Sequence, residues 1–230
     1  MSDTETVSFL AESPKKQLEL IPQLIDSGLE GLATLTEFLQ TSQPLTANLV
    51  TAKVYQVLFQ LKTPEAKKLL ETYFPQGIIP LASERNINYQ PLEQLLLAQD
   101  WEAADSLTRV KMCELAGESA IQRKWVYFTE VQQFPLTDLQ TLDQLWWLFS
   151  EGKFGFAIQR KIWLSVGKDF EKLWSKIGWK NGNEWTRYPR GFTWDLNAPV
   201  GHLPLSNQIR GVRVIASIFA HQAWLVQEGK

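Results

Sequence analysis

Apolar residues recur at helical spacing through most of this 230-residue chain, and no β-branched run alternates with a period of two. Proline and glycine cut that pattern into short lengths. The expected fold is all-α: a small N-terminal helical bundle followed by an all-helical C-terminal domain with a long aromatic loop. A compositional break supports two domains, because all ten tryptophans lie at or after Trp101 and no arginine precedes Arg85. The expected limits are 1–80 for the first domain and 84–230 for the second.

In the first domain, Ser13 is placed to cap a helix that Pro14 opens, with Leu18, Ile21, Leu24 and Ile25 at helical spacing. Gly28 and Gly31 punctuate, and Leu32, Leu35, Phe38 and Leu39 form a second helix. A third carries Val50, Val54, Val57, Leu58 and Leu61, and Thr63-Pro64 opens a fourth that ends before Pro75. Short antiparallel helices of this kind make a bundle or a repeat-like stack of helical pairs. No reactive constellation lies among them, and structural support or partner binding is their expected role.

In the second domain, Leu92 to Leu97 give one helix and Asp100 caps the next, which runs to Leu115 and stops at Gly117. Pro135 breaks the chain before a helix through Leu142, Leu145, Trp146 and Leu148. A loop and a short helix ending at Gly167 follow, then a helix from Asp169 to Ile177.

The stretch from Gly178 to Phe219 gives the domain its chemistry. A helix is expected to start near Pro204 or Leu205, with Leu205, Ile209, Val212, Ala216 and Phe219 on its apolar face. Ser206, Arg210, Arg213 and Ser217 form a row beside that face, and no acid occurs between Gly201 and Gln227. Two guanidiniums three residues apart suit a ligand with two carboxylates, or a phosphate. Residues 180–203 show neither helical nor strand periodicity, yet Trp185, Tyr188, Phe192 and Trp194 are too aromatic for a solvated linker. Gly182, Gly191 and Gly201 offer hinge points. Two readings stand side by side. Either an aromatic lid over a basic helix receives a flat, apolar, anionic ligand, or the rings cap the core and the arginines pair with acids elsewhere.

Other features bound the function. A net charge of −2 argues against bulk nucleic-acid binding. Residues 153–213 nevertheless hold eleven Lys or Arg against four acids, an excess of seven that draws an anionic ligand or an acidic partner surface. Cys113 is the single cysteine, so neither a disulfide framework nor a cysteine metal cluster is expected, and a reducing compartment fits. No apolar run approaches the ~18 residues a bilayer requires. The acidic N-terminus is neither a signal peptide nor an Arg-rich transit peptide, so a cytoplasmic protein is expected. Metalloprotease, thiol-redox, hydrolase-elbow, phosphate-loop and dinucleotide motifs are absent, and no enzyme activity is expected. His221 reads as an exposed histidine at a helix end, Arg109 as a solvated mid-helix residue, and Gly117 separates Glu114 from Glu118.

Several segments carry a family resemblance: LTRVKMCELAG, QRKWVYFTEV, FPLTDLQTLDQLWWLFSEGKFGFAIQRKIWL, IGWKNGNEWTRYPRGFTWDLNAPVGHLPL and NQIRGVRV. Together they resemble the genomes-uncoupled type of tetrapyrrole-binding protein, the activator of magnesium chelatase in chlorophyll synthesis, over essentially all of residues 84–221. The first domain resembles the extra helical bundle of cyanobacterial members, and with no transit peptide the chain resembles those rather than the chloroplast forms. The resemblance implies a cupped all-helical domain that binds protoporphyrin IX and its magnesium derivative as ligands, with no permanently bound cofactor and no protein-held metal. It places the propionates on Arg210 and Arg213, a polar residue near the metal centre at Asn207, lid aromatics at Phe192 and Trp194 with Tyr188 in the same segment, and a basic rim residue at Arg109. It further implies a monomeric carrier whose partner is the large porphyrin-binding subunit of the chelatase, with loose contact to the thylakoid surface. A different class of protein remains as the alternative: a helical scaffold whose basic face docks acidic protein partners without a small ligand. A haem protein using His202 is a third reading.

Overall fold

The computed structural model describes residues 8–41, 47–206 and 211–225, which divide into two units, one up to Pro80 and one from Leu81 onward. Apart from one pair of two-residue strands, the regular structure among the described residues is helical.

The first unit contains α1 (Pro14–Asp26), α2 (Leu29–Thr41), α3 (Leu49–Leu61) and α4 (Pro64–Tyr73). Ser13 caps α1 by accepting from the Lys16 N–H, as the sequence led us to expect, and Thr63 caps α4 through the Ala66 N–H. Ile21, Leu35, Leu39, Val54 and Leu58 are buried and form the core between these helices. Gly28, with φ +69°, makes the turn from α1 to α2. Gly31 departs from expectation, since it lies inside α2 rather than between helices. A Cβ there would stand 1.7 Å from the Leu24 carbonyl oxygen, so only glycine lets α2 cross α1 this closely.

The second unit begins with α5 (Gln90–Leu97) and α6 (Trp101–Ala116), which Asp100 caps and Gly117, at φ +97°, ends. Glu114 and Glu118 are thereby separated as expected. Next come α7 (Glu118–Arg123), α8 (Phe128–Val131), α9 (Leu136–Phe149), α10 (Phe156–Ser165) and α11 (Phe170–Lys176). Helix α9 runs through the core, with Leu139, Leu142, Leu145, Trp146 and Phe149 all buried. The Trp146 indole N–H donates to Thr108 Oγ1 at 3.0 Å, so this fully buried side chain keeps its polar atom satisfied. Asp143, also on α9, receives the Ala157 N–H at 2.8 Å and so holds the first turn of α10. Gly155 fits between them because its φ of +126° suits glycine and a Cβ would lie 2.8 Å from Asp143 Oδ1.

After α11 comes a hairpin of β1 (Lys180–Asn181) and β2 (Glu184–Trp185), antiparallel, with Gly182 at φ +57° in its turn. The expectation of a wholly irregular segment from residue 180 is corrected to that extent. The last helix, α12 (Arg213–Phe219), packs on α8 and α10 and is followed by a 3-10 turn, Gln222–Trp224. No helix among the described residues is long and apolar enough to cross a membrane.

The expected helix from Pro204 or Leu205 is not formed. Residues 204–206 are non-helical, and Gly211 sits in the left-handed region at φ +79°, which an α-helix cannot pass through. The proposed stripe of Leu205, Val212, Ala216 and Phe219 is therefore not one helical face. Leu205 and Phe219 are buried, whereas Val212 is exposed; on α12 itself Ile215, Ile218 and Phe219 face inward. Ile209 lies outside the described residues. Leu205 reaches the core through a different backbone path, which the wheel could not anticipate.

Candidate functional site

The aromatic loop is tied down along its length. The Trp179 indole N–H donates to the His202 carbonyl at 2.7 Å, and Thr186 returns its N–H to the Trp179 carbonyl at 3.0 Å. The His202 ring, 2% exposed, uses both nitrogens: Nδ1 faces the Ile177 carbonyl at 2.6 Å and Nε2 accepts from the Thr193 N–H at 3.2 Å. Burial pushes its pKa down, with the Ile177 carbonyl pulling the other way. A ring neutral, buried and bonded at both nitrogens has no lone pair left for an iron, which removes the haem reading built on His202.

The glycines expected as hinges serve close packing at two positions. A Cβ on Gly201 would meet Ile162 at 2.8 Å, and one on Gly191 would meet the Arg187 carbonyl oxygen at 2.8 Å. His221 also corrects the sequence reading, because it is buried, faces the Phe134 carbonyl through Nε2 at 3.0 Å and accepts the Ala223 N–H at Nδ1. It caps the 3-10 turn instead of standing in water.

Four of the seven expected site residues come together. Tyr188, Phe192 and Trp194 form a triangle of rings with centroids 6.0–6.4 Å apart, edge-on or tilted to one another. Phe192 is buried against the His202 ring, whereas Tyr188 is 48% exposed. The Trp194 indole N–H is satisfied by the Pro189 carbonyl at 3.0 Å. Arg109 is not simply solvated, as the sequence led us to expect. Its guanidinium lies over the Tyr188 ring, 5.0 Å from the centroid, and donates to the Tyr188 hydroxyl at 3.0 Å, to Ser106 Oγ at 3.0 Å and to Asp105 Oδ2 at 2.7 Å.

Arg213 occupies a different setting. It opens α12, is exposed, and places its guanidinium 5.5 Å from the Phe128 ring centroid, with no carboxylate among the described residues paired to it. Ser217, expected in a row with it, is buried and donates its hydroxyl proton to the Phe128 carbonyl at 2.8 Å. Asn207 and Arg210 lie outside the described residues.

Sequence reasoning missed Asp105, which is wholly buried. Besides its Arg109 pair it accepts the Leu205 N–H through Oδ1 at 2.6 Å. The signal was present as an Asp–Arg pair at i, i+4 on α6. Burial raises its pKa to about 6, against the lowering pull of Arg109 and of the Leu205 N–H. Asp143 and Glu93 are likewise raised by burial, each to about 7. For Asp143 the sign is plain. The folded chain holds the proton more tightly than the unfolded chain, so the Asp143 contribution to stability is full below the ordinary value of 3.8 and is lost as pH rises through about 7. Asp143→Asn abolishes that dependence. In urea unfolding from pH 5 to pH 8 the variant is expected to gain on the wild-type chain as pH rises; a constant difference between the two would contradict it.

The fold and this site define a class: an all-helical unit that carries a tied aromatic segment and an exposed helix-borne guanidinium with no carboxylate partner among the described residues. Residues 82–222 match the GUN4-like family, and residues 6–75 match the ARM-like repeat domain, GUN4-N terminal. This chain belongs to the GUN4-like family. It is 52% identical over 213 residues to the Ycf53-like protein of Synechocystis sp., spanning 92% of this chain and 91% of that one. It is 37% identical over 145 residues to the protein named tetrapyrrole-binding protein, chloroplastic, of Arabidopsis thaliana, covering 59% of this chain and 55% of the relative. Among solved structures, GUN4 from Chlamydomonas reinhardtii has a TM-score of 0.60 at 38% identity, over 64% of this chain and 95% of that one. The ligand-free structure of Arabidopsis thaliana GUN4 has a TM-score of 0.56 at 38% identity, over 60% of this chain and 98% of that one.

Proposed function

We propose that this chain binds protoporphyrin IX and Mg-protoporphyrin IX and stimulates magnesium chelatase as a non-catalytic, monomeric carrier and regulatory subunit in chlorophyll synthesis. One observation carries the reading: Arg213 stands exposed beside an aromatic ring with no carboxylate among the described residues to neutralise it. A cation left unpaired next to a greasy surface is matched by an anionic group on a flat apolar ligand. The name of the Arabidopsis relative points to the same ligand class.

In this reading Arg213 and Arg210 hold the two propionates, and Asn207 lies toward the metal centre, where an amide oxygen or an ordered water suits Mg²⁺. Tyr188, Phe192 and Trp194 cover the macrocycle and Arg109 stands at the rim. The two functional domains are residues 1–80 and 84–230. The large porphyrin-binding chelatase subunit is the protein partner, met in the cytoplasm or at the thylakoid surface. Trp194→Ala tests the cover directly. Stopped-flow release of protoporphyrin should be faster in the variant by roughly tenfold, as expected for a lost ring contact of about 1.5 kcal/mol. An unaltered release rate would remove Trp194 from the site.

A further inference from the structure

Asp105 is buried without exposure to solvent, and each of its oxygens is engaged by a different group. Oδ2 holds Arg109, which in turn holds the Tyr188 hydroxyl and lies over the Tyr188 ring. Oδ1 holds the Leu205 N–H, at the start of the stretch that leads to Arg213. Ser106, one residue on, closes the same network, its hydroxyl 3.2 Å from that of Tyr188. Helix α6 thus fastens two chain segments that lie 17 positions apart in sequence, counting Tyr188 to Leu205.

We infer that Asp105 is a positioning residue that ties the aromatic segment to the chain at Leu205 by sharing one buried carboxylate between Arg109 and the Leu205 N–H. This deepens the porphyrin-binding reading and rests on it for its effect on the ligand. A buried carboxylate is stable only while both oxygens are satisfied. Loosening Arg109 therefore frees Tyr188 while the Leu205 N–H keeps its acceptor, so the aromatic segment alone loses its tie. A ligand covered by the aromatic segment is held longer while that tie is intact and escapes faster when it is cut.

The test uses the full chain in two arms. In the ligand-free arm, hydrogen exchange is compared for the wild type, Asp105→Asn and Tyr188→Phe. Asp105→Asn keeps an acceptor for Leu205 and gives up the charge that holds Arg109. It should raise exchange across residues 186–194 while Leu205 stays protected. Tyr188→Phe, which removes one exposed hydroxyl and leaves the core intact, should raise exchange in the same stretch. In the ligand arm, protoporphyrin release should speed up roughly tenfold in Asp105→Asn, the scale of a lost charged hydrogen bond. Association should change little, and the double variant should release no faster than Asp105→Asn alone. Unchanged exchange in both single variants overturns the coupling whether or not porphyrin binds, as do multiplicative effects on release. Failure of the wild-type chain to bind protoporphyrin would instead count against the proposed function, leaving the exchange arm to decide the coupling. If Asp105→Asn does not fold, Tyr188→Phe alone decides: normal exchange in residues 186–194 overturns the inference.

Discussion

Trp179→Ala should cost about 3–5 kcal/mol of unfolding free energy, the range for emptying a buried tryptophan site. The side chain is fully buried, stacks on Trp174 with centroids 5.1 Å apart at 10°, and donates its indole N–H to the His202 carbonyl. Its backbone carbonyl also receives Thr186, so the residue joins the hairpin return to the far end of the aromatic loop. Trp179→Phe keeps most of the packing but strands a buried carbonyl, at about 1–3 kcal/mol. Urea unfolding followed by tryptophan emission isolates the effect, because every tryptophan lies at or beyond Trp101 and the signal reports the second unit alone. A loss below about 1 kcal/mol for the alanine variant would show that the loop is held elsewhere.

Arg213→Ala should weaken protoporphyrin binding by about 1.5–3 kcal/mol, or roughly 10- to 150-fold in Kd, if its guanidinium bonds a propionate. Stability should hardly change, since the side chain is exposed and its visible neighbour is one phenyl face. Arg213→Lys retains the charge but not the planar fork, and should recover part of the loss. Equal affinity in the wild type and Arg213→Ala would exclude Arg213 from the site. The two variants separate the roles: Trp179→Ala is expected to lower stability, and Arg213→Ala to lower affinity alone.

Much of the architecture was legible because it depends on local rules. Ser13 and Asp100 each cap the helix that begins beside them, and the period of the apolar residues marks the buried faces of α1 to α4 and α9. The misreadings come from contacts that link distant positions. Gly31 resembles punctuation until Leu24 of the neighbouring helix is set against it. The His221 ring meets the Phe134 carbonyl, 87 positions away, and Asp105 is met by Leu205, 100 positions away. The stretch from Pro204 to Phe219 has helical periodicity, but Gly211 takes a left-handed backbone that the hydrophobic pattern does not register. Of the site itself, the clustering of Tyr188, Phe192 and Trp194 followed from their density in one segment. The Arg109–Tyr188 contact did not, because nothing in the sequence says which helix an irregular loop will lie on.

Titration of the purified chain with protoporphyrin IX and Mg-protoporphyrin IX, read by quenching of tryptophan emission, bears most directly on what this protein does. Saturable binding of both, with Kd raised in Arg213→Ala and release hastened in Trp194→Ala, is the expected result. No saturable quenching by either macrocycle would contradict it, and would leave a helical scaffold whose exposed cations serve acidic protein partners.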